Sequence, residues 1–173
     1  MGHPVPLNQK TPDYLAASLG NFILGGDFST RLMHRVREET GLTYHIQSNF
    51  GGLVGEDVEG HWVVNLTAKA DSLDQAIQET RKQISAYVED GASEKEVAGK
   101  KGTIAGRFRV NLATTEGLAT SILRNEQLKF GIHYIDEFPK LINDLKVKDV
   151  NQAIKKYIQP DALSVVIAGE RKS

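Results

Sequence analysis

The chain has 173 residues, enough for one domain with its own core and too few to expect two. Charged residues make up 25% and the net charge is −1, with no basic stripe, so there is no electrostatic case for nucleic acid. The lack of cysteine excludes disulfides and thiolate metal sites and fits cytosol or periplasm equally, and no apolar run reaches membrane-spanning length.

Residues 1–11 (MGHPVPLNQKT) are proline-rich and polar and read as an extended lead-in, with Met1 to His3 open to a vector origin. Residues 12–173 read as a single domain. Pro12 and Asp13 open a helix to about Leu24, with Leu15, Leu19, Phe22 and Ile23 on its buried face. Gly25 and Gly26 suit a helix stop at positive φ, and Ser29 then offers a side-chain oxygen to cap a second helix over about 29–40. Leu32, Met33 and Val36 form the apolar stripe of that helix, and Gly41 ends it.

Residues 43–50 and 61–70 alternate as strands and predict an antiparallel hairpin, with Trp62, Val64, Leu66 and Ala68 on one face. The connecting GGLVGEDVEG (51–60) reads as a mobile surface loop; its acidic residues would repel the anion that a phosphate cradle needs. Ser72 and Gln75 form a capping-box pattern before a helix ending at Gly91, with Leu73, Ile77, Ile84 and Val88 inward. Ser93 and Glu96 repeat the pattern before a long helix to about Leu112. Gly99, Gly102 and Gly106 lie near one face of it, so close packing is expected there to offset their low helix propensity.

A helix over about 115–128 carries Leu118, Ala119, Ile122 and Leu123, and a short helical piece with a start or kink at Pro139 follows. A last helix over 148–157 turns Val150, Ala153, Ile154 and Tyr157 inward, and Leu163 to Ala168 read as a buried strand. The sum is one helix-rich α+β domain, a small and mostly antiparallel sheet covered by several helices.

The sequence holds no self-sufficient catalytic set. Of His3, His34, His45, His61 and His133, no two fall at ligand spacing on one predicted helix. His34 and Glu38 stand one turn apart, an ordinary arrangement on a solvated helix face, and His45 and His61 could meet across the hairpin as a surface pair. No G-x-S-x-G elbow or histidine with an evident carboxylate partner is present. The remaining lead is Arg37 with Tyr44, which a chain reversal at Gly41 would bring to one end of the fold.

The same stretch carries a resemblance. Asn21, Leu24, Gly25 and Gly26, then Thr30, Arg31 and Leu32, then Arg37, Glu38, Gly41, Leu42 and Tyr44 stand in the order of motifs in the C-terminal domain of the insulinase/pitrilysin family of zinc metallopeptidases, including processing-peptidase-like subunits. The tail from GRFRVNL to LSVVIAG is similar to the closing part of that domain, so the resemblance spans about residues 12 to 169. Family domains of this kind usually open with a strand, and only the lead-in precedes the first helix here; an excised piece without that strand is the expectation.

The resemblance implies the metallopeptidase fold and a zinc-free half, since the family's H-x-x-E-H motif is not in this chain. No cofactor is expected here; zinc would sit in a catalytic partner domain or subunit. The substrates implied are peptides, and an isolated half would expose an apolar face prone to self-association. Arg37 and Tyr44 match the family's substrate-binding arginine and tyrosine. An arginine can hold a substrate carbonyl or carboxylate, and a tyrosine hydroxyl can donate to the oxyanion that forms during peptide hydrolysis. From the residues alone, Arg37 also reads as a cation at a helix C-terminus and Tyr44 as core with its hydroxyl at the rim. For Arg31 and Glu38 an ion pair within the domain is expected. A purely structural scaffold with no part in catalysis is the alternative.

Overall fold

The computed structural model describes residues 1–52 and 60–169. Three strands, β1 (Gly2–Val5), β2 (His45–Gly51) and β3 (Gly60–Thr67), make one antiparallel sheet in the order β1-β3-β2. The hairpin expected from the alternation is there: His45 pairs with Thr67 and Gly51 with His61. Trp62, Val64, Ile46 and Ser48 are buried on the helix-facing side, as the period of two requires. Most of the GGLVGEDVEG loop, residues 53–59, lies outside the described residues.

One expectation at the N-terminus is corrected. Residues 2–5 are not an unpaired lead-in but strand β1, with His3 opposite Trp62 and Val5 opposite Gly60. Its one proline, Pro4, is tolerated because the strand is short and lies beside only one long neighbour. A strand thus precedes the first helix, where the sequence reading expected none.

Helix α1 (Tyr14–Gly25) lies across the sheet and is buried on most of its circumference, including Leu19, Ile23 and Leu24. The π-helical segment Met33–Glu39 stands where a regular helix was expected, and it still buries Leu32, Met33 and Val36. Ser29 does not cap it; the segment opens without a side-chain cap. Gly41, at φ +64°, ends it in the left-handed region as expected.

Around this centre stand α2 (Leu73–Asp90), α3 (Glu94–Leu112), α4 (Thr115–Gln127), α5 (Tyr134–Asp144) and α6 (Val147–Tyr157). The α6 residues Val150, Ala153, Ile154 and Tyr157 are all buried, and the Ser93–Glu96 capping box opens α3, both as read from the sequence. In α2 the buried residues are Ala76, Thr80, Ile84 and Tyr87, whereas Leu73, Ile77 and Val88 are only partly covered. Ser72 donates to the Lys69 carbonyl and makes no side-chain cap. Pro139 lies inside α5.

Three packing expectations change. Gly25 and Gly26 do not use positive φ; a Cβ on Gly25 would stand 2.5 Å from Ser48 Oγ and 2.9 Å from Ser48 N, so glycine is required for the close approach of α1 to β2. Gly99, Gly102 and Gly106 meet open space instead of close packing. Residues 163–168 do not form a buried strand: Ser164 alone bridges to Gly2, and Val165, Val166 and Ile167 are exposed because β1 pairs with them no further.

These contacts give opposite expectations for two similar substitutions. Gly25→Ala should lower stability by about 1–3 kcal/mol through overpacking against Ser48. Gly102→Ala, mid-helix in open space, should raise it by up to about 1 kcal/mol. Urea unfolding of the two variants beside the parent checks both signs.

Candidate functional site

The turn between the π-helical segment and β2 carries the Arg37–Tyr44 pair. The backbone there is fixed by three bonds: Gly41 N–H donates to the Arg37 carbonyl (3.0 Å), Tyr44 N–H to the Thr67 carbonyl (2.8 Å), and Thr40 Oγ1 to the Val36 carbonyl (2.7 Å). Thr43 Oγ1, itself buried, donates toward the carbonyls of His45 (2.7 Å) and Thr67 (2.8 Å). Buried Met33 and Val36 hold one side of the turn, and Ile46 holds the other.

Both side chains point outward from this frame. Tyr44 is 63% exposed, so it is not a core tyrosine with its hydroxyl at the rim; β2 begins one residue later, and the core-facing alternation starts at Ile46. Arg37 is exposed in the last turn of its segment, where a cation faces free carbonyl ends favourably. Among the described residues its guanidinium approaches only Met33 Sδ (3.8 Å), a weak contact. Among the described residues no hydrogen bond joins the two side chains. Each is held at the backbone and exposed at its tip.

Arg31, which the sequence assigned to an ion pair, makes one. Its guanidinium donates two bonds to the Glu96 carboxylate (2.7 and 2.8 Å) and one to the Gly91 carbonyl (3.0 Å), and lies over the Tyr87 ring at 4.7 Å. Glu96 also closes the α3 capping box, so one carboxylate ties the start of α3 to the segment that leads into the functional turn. The Arg31 hydrogen bond, with help from Ser93 and against a smaller cost of burial, lowers the Glu96 pKa from its ordinary 4.5 to about 2. Sequence reasoning gave Arg31 a role but not the partner, which lies 65 residues away. A cleft of about 840 Å³ opens beside this pair, lined by Thr30, His34, Glu38 and Lys100 among others.

The histidines stay apart. His34 Nδ1 stands 3.4 Å from Glu39 rather than pairing with Glu38, and Arg35 also holds that carboxylate in a two-bond pair. His45 and His61 do not meet as a surface pair: they occupy opposite ends of the hairpin, six residues apart in register, roughly 20 Å at strand rise. Among the described residues no three His, Cys, Asp or Glu side chains converge to hold a metal ion, so the residues present do not fit a zinc site.

Comparison with known proteins bears on the family and the fold. Residues 1–104 match the family model described as the peptidase M16 inactive domain. The chain is 22% identical over 99% of its length to a non-peptidase homolog, YmxG, of Helicobacter pylori, and 26% identical over 84% to an uncharacterized zinc protease, also YmxG, of Bacillus subtilis. It spans 39% and 35% of those proteins. The crystal structure of a peptidase M16 inactive domain from Pseudomonas fluorescens superposes with a TM-score of 0.81 at 28% identity, covering 93% of this chain and 38% of that one.

The Arg31–Glu96 pair generates a pH prediction. A carboxylate whose pKa falls on folding stabilises the fold above its unfolded value, and that stability is lost as pH drops through the folded value. Stability should therefore decline between pH about 4.5 and about 2, and Glu96→Gln should flatten that part of the profile while lowering stability at neutral pH. Chemical denaturation at a series of acidic pH values measures it.

Proposed function

This chain belongs to the peptidase M16 inactive-domain family, and from that premise we propose that it is the zinc-free half of a two-half metallopeptidase, completing the peptide-binding chamber of a catalytic partner domain or subunit. Zinc and its hydrolytic chemistry belong, in this reading, to the partner. The substrate is a peptide or unfolded segment, and Arg37 and Tyr44 reach it from this side.

The observation that carries the reading is the turn itself. A backbone-anchored turn carries an exposed guanidinium and an exposed phenol seven positions apart, on a surface otherwise without converging catalytic groups among the described residues. The guanidinium offers paired donors to a substrate carbonyl or carboxylate. The phenol donates one hydrogen bond, and it stabilises the scissile carbonyl oxygen most when that oxygen carries negative charge. The backbone that carries both groups is anchored before substrate arrives, so the ordering that binding requires is confined to the two side chains.

The exposed apolar side chains Val110, Leu118 and Leu123 on α3 and α4 support a face meant for contact with other protein, and the isolated half would self-associate through it. The scaffold reading keeps one specific support, the designation of the Helicobacter relative as a non-peptidase homolog.

In the assembled protein with its catalytic half, Arg37→Ala and Tyr44→Phe should each lower peptide turnover, Tyr44→Phe by about 10²–10³-fold, with zinc content and folding unchanged. Steady-state kinetics with metal analysis reads this directly. Unchanged turnover would make the pair surface residues, and an assembled protein inactive in every preparation would favour the scaffold.

A further inference from the structure

A pocket of about 310 Å³ opens between the first half of α1 and helices α3, α4 and α5, and it shares no residue with the 37–44 turn. Phe108, Phe130, Tyr134 and Phe138 make its aromatic wall. Ring centroids lie 4.6 Å apart in the Phe108–Phe138 and Phe130–Tyr134 pairs and 6.0 Å apart between Tyr134 and Phe138. All four residues are only partly buried although their rings meet.

Phe130 joins this wall through the cap that ends α4. Its N–H donates to the Asn125 carbonyl (2.9 Å) and Lys129 N–H to the Glu126 carbonyl (3.0 Å), the paired bonds that close a helix C-terminus. Lys129 thereby takes φ +58°, a left-handed position that glycine fills at lower cost.

Two adjacent polar residues of α4 line the same pocket. Asn125 is 7% exposed, and among the described residues its carboxamide makes no hydrogen bond; the bonds nearby run between Asn111, Gly117 and Ser121. Leaving such a group unpaired is costly, and it offers both donors and an acceptor to an occupant. Arg124 is exposed, and among the described residues its guanidinium has no hydrogen bond or ion pair. Burial raises the Tyr134 pKa, Tyr14 and Glu137 add to the rise, and the Arg124 charge opposes it, so that charge is felt at the aromatic wall. Glu137 does not line the pocket and stands 4.0 Å from His133 Nε2.

We propose that this pocket binds an aromatic residue ending in a free carboxylate. The ring packs against the aromatic wall, the amide of the residue exchanges hydrogen bonds with Asn125, and the carboxylate meets Arg124. The volume sets the size, because about 300 Å³ is the lower end of the range for small-ligand pockets and admits little beyond one residue. A small N-acylated aromatic acid and the C-terminus of a peptide present this same chemistry. The site goes beyond the Arg37–Tyr44 reading and does not rest on it.

Calorimetric titration of the full chain with N-acetylphenylalanine, its primary amide and N-acetylalanine tests the assignment. The aromatic acid should bind about tenfold or more tightly than either of the others. Arg124→Gln, at an exposed position that folding does not depend on, should weaken the acid about tenfold and leave the amide unchanged; Asn125→Leu should weaken both. The peptide Gly-Gly-Gly-Phe with a free C-terminus separates the two sources. Binding as tight as that of N-acetylphenylalanine assigns the pocket to chain ends, and much weaker binding assigns it to a small acid; either result supports the site. Equal binding of acid and amide, no binding of any probe, or an Arg124→Gln chain that binds the acid like the parent would overturn it. Peptidase activity plays no part in the readout, so failure here leaves the Arg37–Tyr44 reading standing, and the reverse also holds.

Discussion

Asn21 sits on α1 with its side chain buried against the sheet, and the position of the helix depends on how that amide is satisfied. Its Nδ2 donates to the Ser48 carbonyl (3.1 Å) and its Oδ1 accepts from Trp62 Nε1 (2.8 Å), so one side chain bonds both hairpin strands. An unpaired buried amide would cost on the order of 1–3 kcal/mol, so slippage of helix or strand by a residue is strongly opposed. One turn along, Gly25 lies against Ser48, and Tyr87 of α2 donates to the Gly20 carbonyl on the other side of α1 (2.8 Å). The sheet, α1 and α2 are locked by polar contacts inside an apolar core. Ser48 Oγ, buried beside Gly25 with no hydrogen-bond partner, shows how little room that contact leaves.

The 37–44 turn is anchored to this lock at both ends. α1 delivers the chain to the π-helical segment, whose buried residues pack onto the same core, and β2 takes the chain away beside β3. Arg31 and Glu96 brace the entry from α3. Arg37 and Tyr44 are thus exposed on a frame with fixed ends, as the proposed role requires.

The fold class, the antiparallel hairpin, α6 and the α3 capping box were legible in the sequence because each rests on local periodicity or a four-residue motif. The misses share a different cause. Gly25 and the three α3 glycines look alike in sequence, yet Gly25 meets Ser48 and the others meet solvent, a distinction set by elements far apart in the chain. Strand β1 was missed because Pro4 within it and Pro6 just after it argue against a strand, and only the neighbouring Gly60 to Val63 segment reveals a free edge to join. LSVVIA has the composition of a buried strand, but burial needs a neighbour along its whole length. For the site, the seven-residue spacing across Gly41 was legible, whereas the exposure of Tyr44 was not: an alternating pattern does not announce at which residue the strand begins.

The most direct measurement is a structure of this chain assembled with its catalytic half and an uncleaved peptide. The account predicts the Tyr44 hydroxyl and the Arg37 guanidinium each within about 3 Å of peptide oxygens beside the zinc. A structure in which the 37–44 turn faces solvent, away from both peptide and zinc, would contradict it.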